Sequence, residues 1–307
     1  MRVVLTDRLS QTSAFEQHLK AAAPGAEFRH WPLVDPSWDY DLLVSWSPPD
    51  DLVSLPPSLK AIFCFGAGAD QLLADPRVPA DMPVARLQDA GQAEQMLNYV
   101  LHVAFACMQN DNAYRIAQRE GSWLELPSEV KTRDEMRVTV LGLGPLGQRV
   151  ARGVAEVNFK TVAWSRSTRS IPGVETHAGW DALPTAVRDA DLLVNMLPLH
   201  PETHNILNAN LFSGLKPGAY LVNLGRGDHL NEDDLLQALH TGSVGCAWLD
   251  VFREEPLRSD HPFWLHDKVR MTAHMAGIPT AEGASLSIAR VLDALQCGLP
   301  LPNAVRR

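Results

Sequence analysis

The sequence has few cysteines, no long apolar run and no excess of positive charge. Its four cysteines lie far apart in apolar stretches and form no CxxC pair, which favours reduced, buried thiols over disulfides or a metal site. No apolar run is long enough to span a bilayer, and a strand pattern rather than a signal peptide follows Met1. We therefore expect a cytoplasmic protein that holds no metal. The net charge of −9 argues against nucleic acid or an anionic membrane as the main partner.

The 307 residues suffice for two domains, each with its own core. In the first part, strands are predicted at residues 2–6, 40–45 and 60–65, and a helix capped by Ser10 follows the first of them. This alternation of strand and helix predicts a parallel sheet. The third strand ends in a small-residue turn, residues 66–70, whose backbone N–H groups could bind an anion. A plain strand-to-helix turn explains the same residues equally well.

Two long helices are predicted elsewhere in the chain. Residues 92–119 contain no Pro or Gly and predict one helix, closed by Gly121, that crosses between the domains. Residues 120–136 predict an extended connection, an arm that could contact another subunit. Residues 280–296 predict a helix that ends at Gly298 and folds back on the first domain.

A βαβ unit with a GxGxxG turn lies in the middle of the chain. A strand at residues 136–141 runs into Gly142, Gly144 and Gly147, and a helix at 148–157 and a strand at 161–165 follow. In this strand–turn–helix context the pattern indicates a dinucleotide site, with glycines that serve only packing as the alternative. Because Pro145 has no N–H, Leu146 and Gly147 would supply the phosphate donors.

The end of the second strand of this unit bears on the choice of cofactor. Ser165, Arg166, Ser167 and Arg169 stand where an NAD site usually has a carboxylate for the ribose 2′-hydroxyl. Arginines and hydroxyls there would bind a 2′-phosphate, so the sequence predicts a preference for NADPH over NADH. A solvated basic loop is the alternative interpretation.

A further strand at residues 191–197 ends in a loop that would cover the cofactor. Leu197 and Pro198 are the residues of this loop expected to line the cofactor. His200 and His204 follow, and loop histidines are usually solvated.

Arg226 stands just beyond a predicted buried strand, residues 219–224, and a helix capped by Asn231 follows. Gly225 and Gly227 flank the arginine and would let other groups approach its backbone. Ligands of open α/β sheets bind at the carboxyl ends of the strands. A permanently charged, fork-shaped guanidinium at that edge would bind a carboxylate or a phosphate.

Three more polar residues follow strand ends in the same half of the chain. Asp250 ends a strand predicted at residues 245–250, Glu255 follows that strand, and His274 follows one at 269–273. Histidine is suited to exchanging a proton near neutral pH, and a carboxylate beside it would fix its tautomer and favour its charged form. Taken alone, a histidine at a strand end is more often structural, and a glutamate before proline is commonly only a turn residue.

Four motifs, in this order and spacing, resemble those of the D-isomer-specific 2-hydroxyacid dehydrogenases: residues 142–147, 223–227, 249–256 and 272–277. The resemblance spans nearly the whole chain and includes residues 65–70. Within that family the chain looks most like the short glyoxylate/hydroxypyruvate reductase A group. Residues 46–49, 89–96 and 164–167 carry this closer resemblance.

The resemblance implies an α/β fold of two doubly wound, parallel-sheet domains with the active site in the cleft between them. The Rossmann dinucleotide-binding domain would comprise residues 100–276. The flavodoxin-like substrate domain would comprise residues 1–99 and 277–307. A homodimer is also implied.

The resemblance also implies a role for each site residue. The catalytic set would be Arg226, which holds the substrate carboxylate, His274 as acid/base, and Glu255 as its partner. Substrate would also contact Trp46 and the backbone N–H groups of Ala67 and Gly68. Asp250 would bind the nicotinamide carboxamide. The full set expected at the cofactor is Gly142, Gly144, Leu146, Gly147, Ser165, Arg166, Ser167, Leu197, Pro198, Asp250 and His274.

The expected activity is the reduction of glyoxylate or hydroxypyruvate, to glycolate or D-glycerate, by NADPH. A second hypothesis is a related reductase for bulkier 2-oxo acids such as phenylpyruvate or 2-ketoisocaproate. A third, from another class, is a non-catalytic interaction protein that senses NAD(P)H and binds it without turnover.

Overall fold

The computed structural model describes residues 1–6, 12–32, 38–52, 54–125 and 131–305. The chain forms two compact units. Unit 1 comprises Met1–Gly91 and Pro279–Arg307, and unit 2 comprises Gln92–Ile278. Each unit is built on its own predominantly parallel β-sheet with helices on both faces, as the sequence predicted.

Unit 1 contains a six-stranded sheet. Its strands are β1 (Arg2–Leu5), β2 (Glu27–His30), β3 (Leu42–Ser45), β4 (Ala61–Cys64), β5 (Val84–Arg86) and β13 (Ala304–Val305), and its helices are α1 (Ser13–Ala22), α2 (Asp70–Ala74) and α9 (Ala281–Cys297). The sheet order is β13-β5-β4-β3-β1-β2. The five strands β1 to β5 are parallel in the flavodoxin-like order 2-1-3-4-5, and β13 adds antiparallel to β5.

The two faces of this sheet are covered by separate apolar clusters. On one face Phe15 and Leu19 of α1 pack with Ile288 and Leu292 of α9. The predicted return of the C-terminal helix to the first domain is therefore confirmed. Thr280 caps α9 by accepting from the Gly283 N–H, and Gly298 ends the helix at a φ of 64°. The predicted cap Ser10 lies outside the described residues, and Thr12 is the N-cap of α1.

Unit 2 contains a seven-stranded, all-parallel sheet. Its strands are β6 (Arg137–Leu141), β7 (Lys160–Ser165), β8 (Glu175–Ala178), β9 (Leu192–Asn195), β10 (Ala219–Asn223), β11 (Val244–Leu249) and β12 (Val269–Met271). Its helices are α3 (Gln92–Met108), α4 (Asp111–Arg119), α5 (Pro145–Glu156), α6 (Leu183–Val187), α7 (Ala209–Ser213) and α8 (Glu232–Thr241). Short 3₁₀ turns occupy Trp180–Ala182, Pro201–Thr203, Gly227–His229 and Pro262–Leu265.

The strand order β12-β11-β10-β9-β6-β7-β8 is the doubly wound order 3-2-1-4-5-6 with one added strand. The order reverses between β6 and β9. Because all strands are parallel, the glycine loop after β6 and the polar residues after β7, β9, β10, β11 and β12 lie along one edge of the sheet. Apolar runs such as Ala219–Asn223 are buried on both sides, which is typical of central parallel strands.

The prediction of one continuous helix at residues 92–119 is wrong. The chain turns between α3 and α4, where Asn110 has a φ of 54°. Asparagine adopts this left-handed conformation more readily than most residues, so a helix can break at Asn110 without Gly or Pro. The helix of the glycine loop also begins earlier than predicted, at Pro145 rather than residue 148.

In the described part of the chain no helix is both long and apolar enough to cross a membrane. All four cysteines are free thiols. Within the same residues, His, Cys, Asp and Glu side chains form no group of three or more that could hold a metal ion.

Candidate active site

The glycines of the loop after β6 have two different roles. Gly142 has a φ of 99°, and a Cβ there would lie 2.7 Å from the Met196 carbonyl oxygen. A Cβ on Gly147 would overlap the Gly142 carbonyl oxygen. These two glycines allow close packing of helix and strand. At Gly144, by contrast, a Cβ would meet nothing within 4 Å, so the middle of the loop faces open space that a ligand can occupy.

The first turn of α5 supplies the donors for that space. Gly144 is the N-cap and Pro145 the first helical residue, and the first intrahelical hydrogen bond joins the Gln148 N–H to the Gly144 carbonyl at 2.9 Å. The N–H groups of Leu146 and Gly147 therefore have no partner within the helix. Together with the helix dipole they fit the pyrophosphate of a dinucleotide.

The basic loop after β7 lies at the surface and has an acidic neighbour. Ser165 is buried, and its hydroxyl donates to the Ser167 carbonyl at 2.7 Å, which shapes the turn. The Arg166 side chain is 67% exposed, and its Nη1 lies 3.4 Å from Oε2 of Glu202. The sequence analysis missed Glu202, because it lies 36 residues farther along the chain. Arg166 can still rotate toward a phosphate, since the pair with Glu202 is solvent-exposed and weak.

The loop after β9 has a fixed backbone. The Leu197 N–H donates to Oδ1 of Asn195 at 3.2 Å, and the Thr203 hydroxyl donates to the Pro198 carbonyl at 2.9 Å. Leu197 is buried and Pro198 is exposed. His200 and His204 are exposed, as expected of solvated loop histidines.

Arg226 lies three residues after the end of β10. Its backbone is extended, and the residue is half-buried. Its backbone N–H donates to Nδ1 of His229 at 3.0 Å, and its Nη1 donates to the Gly225 carbonyl at 2.9 Å. A Cβ on Gly225 would lie 2.7 Å from both Asn195 Nδ2 and His229 Nδ1. A Cβ on Gly227 would overlap the backbone of Phe252 and Arg253. The two glycines thus allow the close approach that the sequence predicted.

His274 and Glu255 form a hydrogen-bonded pair. Nδ1 of His274 lies 2.8 Å from Oε2 of Glu255, and the other carboxylate oxygen accepts the Phe252 N–H at 2.9 Å. Partial burial raises the pKa of Glu255. The hydrogen bonds from His274 and Phe252 and the charges of His274 and Arg226 outweigh this, so the net pKa of Glu255 is lowered. Arg226, Glu255 and His274 follow β10, β11 and β12, which are neighbours in the parallel sheet, so the structure brings the three predicted catalytic residues to one sheet edge.

Asp250 fixes the segment that carries His274. Its side chain is buried, with the residue 1% exposed. Oδ1 accepts from the Thr272 hydroxyl at 2.6 Å and the Met275 N–H at 2.9 Å, and Oδ2 accepts from the Ala276 N–H at 3.0 Å. The Asp250 carbonyl accepts the His274 N–H at 2.8 Å, and His274 has a φ of 50°. This bonding holds a histidine in a conformation that non-glycine residues rarely adopt. The contact of Asp250 with a nicotinamide carboxamide stays a prediction.

The predicted substrate residues of unit 1 also cluster. A Cβ on Gly66 would lie 4.0 Å from the Trp46 ring. Arg86 donates to the Ala67 carbonyl at 2.6 Å, and the Cys64 thiol donates to the Gly68 carbonyl at 3.4 Å. The Ala67 carbonyl and the Gly68 N–H belong to the same peptide group. Because the N–H of a trans peptide points opposite to its carbonyl, the Gly68 N–H points away from Arg86. The turn is thus held through its carbonyl groups.

The sequence analysis missed a cluster of three buried polar residues beneath Arg226. Asn195, Asn223 and His229 are each 0% exposed. The signal that could have found two of them is position, since Asn195 and Asn223 end the apolar strands β9 and β10, where a buried amide needs partners.

Comparison with known proteins agrees with this architecture. Residues 101–276 match the sequence model of the family described as D-isomer specific 2-hydroxyacid dehydrogenase, NAD binding domain. The chain is 36% identical over 303 residues to the glyoxylate/hydroxypyruvate reductase A of Yersinia enterocolitica, covering 97% of this chain and 96% of that protein.

Two solved structures are similar over almost the whole chain. A D-isomer specific 2-hydroxyacid dehydrogenase from Xanthobacter autotrophicus, in complex with NADPH and MES, superposes with a TM-score of 0.89 at 33% identity and covers 99% of this chain and 97% of that one. The NADPH-dependent glyoxylate/hydroxypyruvate reductase from Sinorhizobium meliloti, in complex with NADP and sulfate, superposes with a TM-score of 0.88 at 33% identity, covering 99% and 98%.

The family match, the full-length relatives and the similar structures are consistent with two features of the site. These are the glycine loop and the sheet edge that carries Arg226, Glu255 and His274. The chain belongs to the D-isomer-specific 2-hydroxyacid dehydrogenases, NAD(P)-binding oxidoreductases that act on small 2-oxo and 2-hydroxy acids.

Proposed function

We propose that this enzyme reduces glyoxylate or hydroxypyruvate, to glycolate or D-glycerate, with NADPH as the reductant. The observation that carries the proposal is the His274–Glu255 pair beside the charge of Arg226, on the sheet edge that also carries the glycine loop. The names of similar proteins from Yersinia enterocolitica and Sinorhizobium meliloti support the choice of substrate.

Arg226, His274 and Glu255 each have a separate role in the proposed reaction. When bound, the nicotinamide supplies hydride to the carbonyl carbon of the substrate. Arg226 binds the substrate carboxylate through its guanidinium and orients the carbonyl. His274 donates a proton from Nε2 to the carbonyl oxygen, while Glu255 holds Nδ1 and stabilises the imidazolium before transfer. In the oxidative direction the same nitrogen takes the proton from the hydroxyl group.

Glycine-loop and strand-end residues would hold the cofactor. Gly142, Gly144, Leu146 and Gly147 receive the pyrophosphate, and Leu197, Pro198, Asp250 and His274 line the nicotinamide side. We propose that Arg166, with Ser165 and Ser167, binds the 2′-phosphate and gives NADPH its preference over NADH. The absence of a carboxylate from residues 165–169 supports this choice.

Unit 1 would supply the rest of the substrate contacts. We assign the substrate-domain role, predicted for residues 1–99 and 277–307, to unit 1, and the dinucleotide-binding role, predicted for residues 100–276, to unit 2. The two compact units divide at Gly91/Gln92 and Ile278/Pro279. The Ala67 and Gly68 N–H groups would bind the substrate carboxylate, and Trp46, which lies on Gly66, would limit the size of the substrate.

The decisive experiment is a panel of 2-oxo acids assayed with both cofactors. Glyoxylate, hydroxypyruvate, phenylpyruvate and 2-ketoisocaproate are each offered with NADPH and NADH. We expect the highest kcat/KM for glyoxylate or hydroxypyruvate with NADPH. A higher kcat/KM for phenylpyruvate or 2-ketoisocaproate would establish the bulkier-substrate hypothesis instead. NADPH binding without turnover of any 2-oxo acid would establish the non-catalytic sensor.

We further propose a homodimer and a cytoplasmic location. Trp123, 90% exposed on the connection after α4, supports a subunit contact there, and the four free cysteines support a reducing compartment. Light scattering after size-exclusion chromatography tests the dimer. A monomeric mass at micromolar concentration would refute it, and Trp123→Ser should weaken a dimer that uses this residue.

A further inference from the structure

Beneath Arg226 lies a buried polar network that the catalytic scheme does not use. It consists of His229 with Asn195 and Asn223, all without solvent exposure. Burying an imidazole and two amides is unfavourable unless their polar atoms are paired, so the pattern of pairing shows what the network holds.

Both peptide groups of Arg226 are held by this network. Its N–H donates to Nδ1 of His229 at 3.0 Å, and its carbonyl accepts from Nδ2 of Asn223 at 3.0 Å and from the His229 backbone N–H at 3.2 Å. The guanidinium that binds substrate is therefore carried by a backbone segment fixed on both sides.

The donors around His229 determine its tautomer. Nδ1 receives the Arg226 N–H and also lies 2.9 Å from Asn195 Nδ2, while Asn195 Oδ1 accepts the Leu197 N–H. An atom that accepts from two N–H donors carries no proton, so the proton of the neutral ring is on Nε2. Nε2 lies 3.3 Å from the Pro198 carbonyl and donates to it.

The ring therefore joins two loops with different partners. One nitrogen fixes Arg226, which contacts the substrate, and the other contacts the Leu197–Pro198 loop, which lines the cofactor. Gly225 makes the arrangement possible, because a Cβ there would lie 2.7 Å from His229 Nδ1 and Asn195 Nδ2.

We propose that His229 is a positioning residue that links the cofactor-lining loop to the substrate-binding arginine through its two ring nitrogens. This inference rests on the proposed function, since it assigns the two loops the ligands described above. His229 itself contacts neither ligand and acts through Arg226 and Pro198.

Two substitutions separate the two nitrogens. In His229→Asn, the amide oxygen is as many bonds from Cα as Nδ1 and can accept the Arg226 N–H, but nothing reaches Pro198. In His229→Gln, the amide nitrogen is as many bonds from Cα as Nε2 and can donate to Pro198, but no acceptor remains for Arg226. His229→Leu removes both bonds.

Each variant is measured twice: the Kd of NADPH by fluorescence titration without substrate, and the KM and kcat for glyoxylate at saturating NADPH. For His229→Asn we expect the Kd of NADPH to rise about three- to tenfold with KM nearly unchanged. For His229→Gln we expect a nearly unchanged Kd and a KM raised about tenfold to a hundredfold. His229→Leu should show both losses, and His261→Asn, in a structural histidine that contacts Glu232, should show neither.

A general loss of stability cannot produce this crossed pattern. Equal changes in Kd and KM for the Asn and Gln variants, or unchanged values in His229→Leu, would overturn the proposal. If the wild-type enzyme binds NADPH but reduces no 2-oxo acid, the proposed function fails. The Kd values then decide the inference alone: it stands if His229→Asn weakens NADPH binding more than His229→Gln does, and falls otherwise.

Discussion

Nδ1 of His274 lies 2.8 Å from Oε2 of Glu255, and this contact engages one of the two imidazole nitrogens. A carboxylate accepts only, so Nδ1 carries a proton in the pair. In the proposed reaction, the proton exchanged with the substrate is therefore the one on Nε2.

Replacement of His274 by Ala should abolish most proton transfer. We expect kcat for glyoxylate to fall by about two to four orders of magnitude, the usual share of general acid catalysis. His204→Ala, in an exposed loop histidine, is the matched control and should retain full activity. Wild-type kcat in His274→Ala at neutral pH would remove His274 from the mechanism.

Substitution of Glu255 by Gln should lower activity and alter the pH dependence of stability. The neutral amide cannot provide the negative charge that Glu255 places beside His274, so kcat for glyoxylate should fall. The pKa of Glu255 is lowered in the folded protein, so its contribution to stability is present above the unfolded value, about 4.3, and is lost as pH falls through the folded value.

Urea unfolding from about pH 7 down to about pH 3 measures that contribution. The variant should lose less of its free energy of unfolding than the wild type over this acid range. Parallel stability curves for the two proteins would show that the lowered pKa of Glu255 has no counterpart in solution.

Arg226→Lys keeps the positive charge but loses the fork. Because an ammonium cannot form two parallel hydrogen bonds with a carboxylate, we expect kcat/KM for glyoxylate to fall about tenfold to a hundredfold. Steady-state kinetics at saturating NADPH measures the loss. The control is Arg258→Lys, at an exposed arginine paired with Asp260, which should be neutral. Unchanged kcat/KM in Arg226→Lys would mean that another group holds the substrate carboxylate.

Cofactor preference should respond to both members of the Arg166–Glu202 pair. Arg166→Asp should reverse the preference toward NADH, since a carboxylate repels the 2′-phosphate and can accept from a ribose hydroxyl. Glu202→Gln should lower the Kd of NADPH without altering that of NADH, because it removes the negative charge that competes for Arg166 at 3.4 Å. Titration with each cofactor gives both values, and Arg188→Asp, at an exposed arginine that follows α6, controls for the change of charge. Equal effects on NADPH and NADH would rule out a 2′-phosphate contact at Arg166.

Asp191, the residue directly before β9, should contribute to the free energy of unfolding. It accepts from Lys131 at 2.6 Å and from the Arg137 N–H at 2.9 Å, and it lies 3.0 Å from Lys216. Burial raises the pKa of Asp191, but these hydrogen bonds and the charge of Lys131 outweigh it, and the pKa is lowered overall. Asp191→Asn should cost about 2 kcal/mol of unfolding free energy near neutral pH, with a smaller cost in acid, where the wild-type carboxylate is protonated.

Chemical denaturation gives that value. Asp111→Asn removes an exposed pair with Arg115 one helical turn away and should change stability little. If Asp191→Asn and Asp111→Asn had the same free energy of unfolding, Asp191 would have no special role in stability.

Features encoded locally were predictable from the sequence. The glycine loop is recognisable because its turn, helix and strands are contiguous, and Arg226, Glu255 and His274 each follow a clear strand end. Contacts between distant segments were not predictable. Glu202 approaches Arg166 only after β7 and β9 are placed, and His229 meets Asn195 across 34 residues of chain. The break at Asn110 was missed because Asn lacks the helix-breaking signal of Gly or Pro, although it tolerates positive φ.

The close approach of Gly227 to the backbone of Phe252 and Arg253 also constrains how this enzyme can be altered. Residue 227 adjoins Arg226, the proposed substrate-binding residue, and the segment after β11 that it touches leads within three residues to Glu255, the partner of His274. Any side chain at 227 would push these loops apart, so a change meant to enlarge the substrate site would misalign the acid/base pair as well. Mutant libraries designed to change the substrate range should therefore keep Gly227 and vary other residues, beginning with Trp46.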